Sequence, residues 1–283
     1  MKIKLRGFLF LLLTSLLWGS SFPAIKVVVS YVPAYYYVWF RSFIAILGLT
    51  PYLIYELRKG DYSVIKGGLY TGCIYALGLW LQGWGTEYIP ASNSAFITGL
   101  NVVFVHIITM LIGRRYNFKL GIALILSILG LYFITLPVGG FSVGDFLVLL
   151  SALMWALQVI MVGLYCRGNP IIFTFFETLP SLIFIIPCLA MNQLPIPRID
   201  IILILVYLGL VCSNMAFIFQ FLGQRILSPA VAAIIFLSEP VFAAILSGIF
   251  LHEILSFIQI IGAAFIILAM YIAVTSEKLE VEV

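Results

Sequence analysis

Ten long apolar runs, parted by short polar or turn-bearing connections, follow one another along this chain of 283 residues. Bounding each run by its charges, prolines and glycines predicts helices near 6–30, 34–56, 66–88, 91–112, 118–136, 144–166, 170–191, 199–224, 229–251 and 255–275. A membrane crossing takes roughly 20 such residues to span about 30 Å of hydrocarbon. The apolar character continues around each run without sustained alternation, which argues against the strands of about 10 residues that build a membrane barrel. The predicted class is an all-α membrane protein with almost no soluble part.

The pattern also repeats at long range. Trp18 and Trp155 are 137 residues apart, as are Pro33 and Pro170; Gln82 and Gln220 are 138 apart, and Pro90-Ala91 and Pro229-Ala230 are 139 apart. Small loop insertions account for the drift. Five runs in each half, an odd number, make the second copy enter the membrane from the opposite side. We therefore expect ten transmembrane helices as two inverted five-helix repeats, residues 1–137 and 144–283, parted by the Gly-rich stretch Pro137-Val-Gly-Gly-Phe-Ser-Val143. Inverted repeats of this kind underlie alternating access in many secondary transporters, with the site near the midplane between the halves.

Composition agrees with the pattern: 64% of residues are hydrophobic and 9% charged, against about a quarter charged in soluble domains. Charge then orients the chain. With a cytoplasmic N-terminus, twelve basic residues fall on the inner side: Lys2, Lys4, Arg6, Arg58, Lys59, Lys66, Arg114, Arg115, Lys119, Arg167, Arg225 and Lys278. Only Arg198 falls outside, while Lys26 and Arg41 lie within spans. This bias predicts a multi-pass protein of the cell membrane with both termini cytoplasmic. The net charge of +4 thus reports orientation in a lipid bilayer and no nucleic-acid partner. The basic start Met1-Lys-Ile-Lys-Leu-Arg6 resembles a signal peptide, but the apolar stretch after it is too long, so a retained first span is expected. Cys73, Cys166, Cys188 and Cys212 have no metal-binding spacing and are expected as small core residues.

Trp18-Gly-Ser-Ser-Phe-Pro-Ala-Ile-Lys26, the Pro33…Arg41 spacing, Ser228-Pro-Ala-Val-Ala-Ala233 with Leu237-Ser-Glu-Pro-Val241, and His252-Glu253 before Gln259-Ile-Ile-Gly262 resemble the EamA-type ten-helix permeases of the drug/metabolite transporter superfamily. The resemblance covers nearly the whole chain. It implies alternating-access transport of small organic solutes, most often amino acids and related metabolites, and often outward. Two departures weaken it locally. Asn101 stands where the second repeat has Pro240, which removes a reason for the fourth span to bend, and Gly113-Arg114-Arg115 stands where an acidic residue is common.

Polar residues inside spans indicate where a solute would bind. An ionisable group at mid-bilayer costs about 2.5–3.5 kcal/mol on insertion scales, so each implies a cavity or a partner. Arg41 reads as a substrate-carboxylate contact or a structural cation, and Lys26 as a residue that snorkels to the outer surface. Glu239, before Pro240, reads as a proton carrier, a substrate contact or a structural hydrogen-bonding group; the proline also frees the carbonyl of residue 236. Glu177 and His106 are weaker candidates. Thr71, Tyr75, Gln82 and Thr86 keep one face of the third helix, and Ser213, Gln220 and Gln224 repeat the spacing on the eighth. The fourth helix adds Asn93, Ser94, Thr98 and Asn101; Trp18 with Ser21, and Trp155 with Gln158, join from the first and sixth. The alternative is interhelical glue, worth about 0.6 kcal/mol per bond. Tyr75, Trp18, Trp155 and Trp80 could line a pocket, whereas Tyr35-Tyr-Tyr-Val-Trp-Phe40 reads largely as an interfacial belt.

The expected substrate-binding set is therefore Trp18, Ser21, Arg41, Tyr75, Gln82, Thr86, Asn93, Thr98, Asn101, Trp155, Gln158, Ser213, Gln220 and Glu239. No catalytic, cofactor or metal site is expected, since the sequence carries no GxxxxGK[ST], GxSxG or HExxH motif and its two histidines stand apart. An intramembrane enzyme or a channel remains as the alternative. Gly121, Gly130, Gly262, Ala263 and Ala264 let helices five and ten pack closely, as ordinary packing or as a weak homodimer face.

Overall fold

The computed structural model describes residues 2–60, 62–112, 117–135, 140–191, 197–243, 245 and 256–276. The end of the ninth span, His252-Glu253, Gly113-Arg114-Arg115 and Pro137–Gly139 lie outside these residues. Among the described residues every regular element is helical. Ten runs stand in order: α1 Lys2–Val29, α2 Ala34–Leu57, α3 Ile65–Tyr88, α4 Ala91–Leu111, α5 Phe118–Thr135, α6 Val143–Tyr165, α7 Pro170–Ala190, α8 Ile199–Gln224, α9 Pro229–Ala243 and α10 Phe257–Ser276. Eight are long and apolar enough to cross a membrane; of the others, α9 is described over a shorter length. The remaining one, α3, is long enough, but its glycines and polar side chains dilute its apolar character.

The starts of these helices follow from local chemistry. Pro170 and Pro229 take first-turn positions of α7 and α9, where the missing N–H is no loss. Asn169 caps α7 by accepting from the Ile171 and Ile172 amides at 2.9 and 3.3 Å. Ser142 and Asp145 form a capping box at α6, and Ser256 and Gln259 pair in the same way at α10. Gly60, past the end of α2, has φ +82°, a conformation strained for any residue with a Cβ.

Glycine decides which helices touch. On α3, a methyl at Gly85 would lie 2.7 Å from the Gly144 carbonyl oxygen of α6, and one at Gly72 would lie 2.5 Å from the Glu177 oxygen of α7. On α5, a methyl at Gly130 would lie 2.7 Å from the Gly262 oxygen of α10. The small residues Gly130 and Gly262 thus serve α5–α10 packing within one chain.

Several helices break. α1 is interrupted at Ser20 and α4 at Leu100, the second despite having Asn101 where a proline was the expected cause. Beside the α4 break, Gly99 lets Leu131 and Leu237 approach within 3.1 Å of where its methyl would be. α7 tightens into a 3₁₀ stretch, Leu179–Phe184, and α8 widens into a π stretch, Leu208–Met215. α9 turns at Leu237 and Ser238, next to the Phe236 carbonyl that Pro240 leaves without its usual donor.

Three expectations require correction. Lys26 does not snorkel: its ammonium donates to the carbonyls of Thr86, Glu87 and Ile89 at 2.7, 3.1 and 3.0 Å, closing the C-terminal end of α3 where carbonyls lack intrahelical donors. Cys73 is exposed rather than in the core, because two residues along a helix from buried Thr71 and Tyr75 is the opposite face. The run Tyr35–Phe40 is no simple belt, since Tyr36, Tyr37 and Val38 are all buried.

Candidate functional site

The breaks in α1, α4 and α9 border one cavity, whose walls come from α1, α2, α3, α4, α6, α8 and α9. The centre of a water-sized sphere has about 40 Å³ to move in, which is room for a few waters. Trp18, Ser21, Arg41, Gln82, Thr98, Asn101, Trp155, Gln158 and Glu239, all expected from sequence, line it. So do Phe22, Ile25, Leu79, Val159 and Phe217, which a search for polar stripes passes over.

The separation between the landmarks would have found most of these. Trp18 and Trp155, Ser21 and Gln158, and Phe22 and Val159 are lining pairs 137 residues apart. Leu79 and Phe217, and Asn101 and Glu239, are lining pairs 138 apart. The two tryptophans touch, with ring centroids 6.5 Å apart, and Phe217 packs on Trp18 at 5.1 Å. They differ in one respect: the Trp18 indole donates to the Cys212 carbonyl at 3.1 Å, in the π stretch of α8, whereas the buried Trp155 Nε1 has no partner.

Both charges at this cavity lack a counter-ion. Arg41 is 3% exposed; its Nε donates to Ser213 Oγ at 2.8 Å and its guanidinium also donates to the Tyr37 hydroxyl. These neutral oxygens orient the cation without cancelling it. Tyr37 was missed from sequence, although its i, i+4 spacing to Arg41 places it on the same face. On α9, Glu239 forms no ion pair or hydrogen bond through its carboxylate among the described residues. Beside it the Asn101 Oδ1 is buried and unpartnered. A methyl at Gly19, next to the α1 break, would lie 2.6 Å from the Glu239 carbonyl oxygen, so the backbones of α1 and α9 meet where the acid is held.

The other expected residues stand behind the wall. Tyr75 packs on Trp155 and Phe217 and approaches Ser213 Oγ at 3.4 Å, so both steady Arg41 and the ring cluster. Thr86 and Ser94 bond at 2.8 Å, and Asn93 is likewise buried off the lining. Gln220 exchanges hydrogen bonds with Gln158 at 3.0 and 3.1 Å, and Gln82 donates to Thr98 Oγ1 at 3.2 Å. Thr71 bonds only the Gly67 carbonyl in its own helix. Trp80 does not line the cavity; it stacks on Trp84 at 5.1 Å and packs on Phe184. His106 is buried, its Nδ1 2.7 Å from the Val102 carbonyl oxygen.

Comparison with known proteins gives a consistent picture. The sequence profile of the EamA-like transporter family matches twice, over residues 5–136 and 142–275. An uncharacterized transporter of Archaeoglobus fulgidus is 31% identical over 265 residues, covering 93% of this chain and 83% of that protein. A protein known from a crystal structure superposes with a TM-score of 0.75 at 15% identity, covering 98% of this chain and 99% of the other; this likeness concerns the fold alone.

Proposed function

The chain belongs to the EamA-like transporter family and is a multi-pass membrane protein, and from that premise we propose that it is an alternating-access carrier of small amphoteric solutes, amino acids or related metabolites, in the outward direction. One observation carries the proposal: a guanidinium and a carboxylate line the same cavity and neither is spent on an ion pair within the described residues. Leaving two such groups uncompensated in the membrane interior is costly, and a solute with a carboxylate for Arg41 and an ammonium for Glu239 offsets both costs at once. The tryptophan, phenylalanine and leucine walls accept an apolar side chain.

The constant separation of the lining pairs supports two inverted five-helix halves, residues 1–137 and 144–283, whose relative rocking opens the cavity to each side in turn. Both termini are then cytoplasmic and the protein resides in the cell membrane, as the basic-residue bias requires. Pairing of α5 with α10 leaves their outward faces for a weak homodimer. Neither the family description nor that of the relative supports the enzyme or channel alternatives.

The test is tracer counterflow in proteoliposomes with a panel of amino acids. Saturable uptake, stimulated by unlabelled solute on the far side, is the expected result. Conductance that does not saturate would identify a channel, and product formation an enzyme.

A further inference from the structure

Behind the cavity a chain of side-chain amides runs to a second buried acid. Gln158 Nε2 donates to Glu177 Oε1 at 2.7 Å and to Gln220 Oε1 at 3.1 Å. Gln220 Nε2 donates back to Gln158 Oε1 at 3.0 Å and onward to Gln224 Oε1 at 2.8 Å, and Gln224 Nε2 ends on the Val159 carbonyl at 2.7 Å. Gln158, Gln220 and Gln224 are buried, and Glu177 is only 2% exposed. No ion pair involves Glu177 among the described residues, and it is not on the cavity lining.

The direction of this chain is dictated by its ends. A carboxylate accepts and does not donate, and the same holds for a backbone carbonyl. Glu177 therefore draws an N–H of Gln158, and Val159 draws an N–H of Gln224. Between them the three amides have one consistent orientation, with both N–H groups of Gln158 and both of Gln220 consumed. The hydrogen-bonding capacity left on Gln158 is a lone pair of its oxygen.

We propose that Glu177 is a positioning residue for solute recognition: by holding the Gln158 amide in one orientation, it makes the cavity wall at that point an acceptor for an N–H group of the solute. This rests on the reading of the cavity as the solute site. With Glu239 and the unpartnered Asn101 Oδ1, Gln158 gives the cavity three acceptors, matching the three N–H groups of a primary ammonium. Arg41 and the Trp155 N–H supply the opposite polarity. A glutamine at 177 would remove the constraint, because its amide both donates and accepts, so Gln158 could settle with either end toward it.

The experiment uses the full chain in lipid nanodiscs, with Trp18 and Trp155 as fluorescent reporters and two probes of the same ring and opposite charge, benzylamine and benzoate. Glu177→Gln should weaken benzylamine about tenfold, the loss of one charge-assisted hydrogen bond, and leave benzoate within about twofold. The exchange Gln158→Glu with Glu177→Gln keeps one donor–acceptor pair and should restore benzylamine. Unchanged affinity for both probes in Glu177→Gln, or equal loss of both, would overturn the proposal. Binding of neither probe to the unaltered protein would instead sink the cavity reading. Thermal unfolding then decides the pairing: single substitutions that lower Tm and an exchange that recovers it support the pair, whereas additive losses overturn it.

Discussion

Arg41 is held by two neutral hydroxyls and Glu239 by no partner through its carboxylate, so their substitutions should separate by solute chemistry rather than by stability. Arg41→Gln should raise KM for carboxylate-bearing solutes about 10- to 100-fold, the worth of a hydrogen bond to a charged group, with a smaller effect on amines lacking the carboxylate. Glu239→Gln should do the reverse, and counterflow competition with the two kinds of analogue reads both. Lys26 predicts the opposite profile. Its three carbonyl bonds lie off the cavity, so Lys26→Met should cost about 1–3 kcal/mol in thermal unfolding and leave KM unchanged. The charged members of the site were legible in the sequence because an ionisable group inside an apolar run is rare. Its apolar walls were not, since Leu79 or Phe217 looks like any lipid-facing or core residue until a partner at the repeat separation is sought. Polarity alone also overcounted: Thr86, Asn93, Ser213 and Gln220 satisfy or support neighbours, and only the folded chain distinguishes a lining amide such as Gln158 from one behind it.

Helix limits were readable to within a few residues because prolines, caps and charges mark them, as at Pro170 and at the Ser142–Asp145 box. The breaks inside helices were mostly not. Pro240 announced the turn in α9, but the π stretch of α8 carries no proline and the α4 interruption depends on close approach at Gly99, a tertiary effect. These breaks supply polar backbone where the cavity lies; the Cys212 carbonyl that receives the Trp18 indole is one example. Gly19→Ala tests their role. Its methyl would collide with the Glu239 carbonyl at 2.6 Å, so transport should fall at least about tenfold while the fold, measured by thermal unfolding, loses only about 1–3 kcal/mol. Gly130→Leu should act differently. It would part α5 from α10 at the Gly262 contact, far from the cavity, and lower stability by a similar amount with KM preserved.

At the scale of the whole molecule, two family-matched halves supply lining residues in pairs at nearly constant separation, and the account holds that these halves expose one cavity to each side of the membrane in turn. Ser21 is the residue through which to examine this, because it lines the cavity, is small, and carries no charge. In a background with the four cysteines replaced, Ser21→Cys in sealed vesicles of defined orientation should react with a membrane-impermeant thiol reagent applied from either side. A transported amino acid should slow both reactions. Reaction from one side only, under every solute condition, or no reaction from either, would contradict alternating access through this cavity.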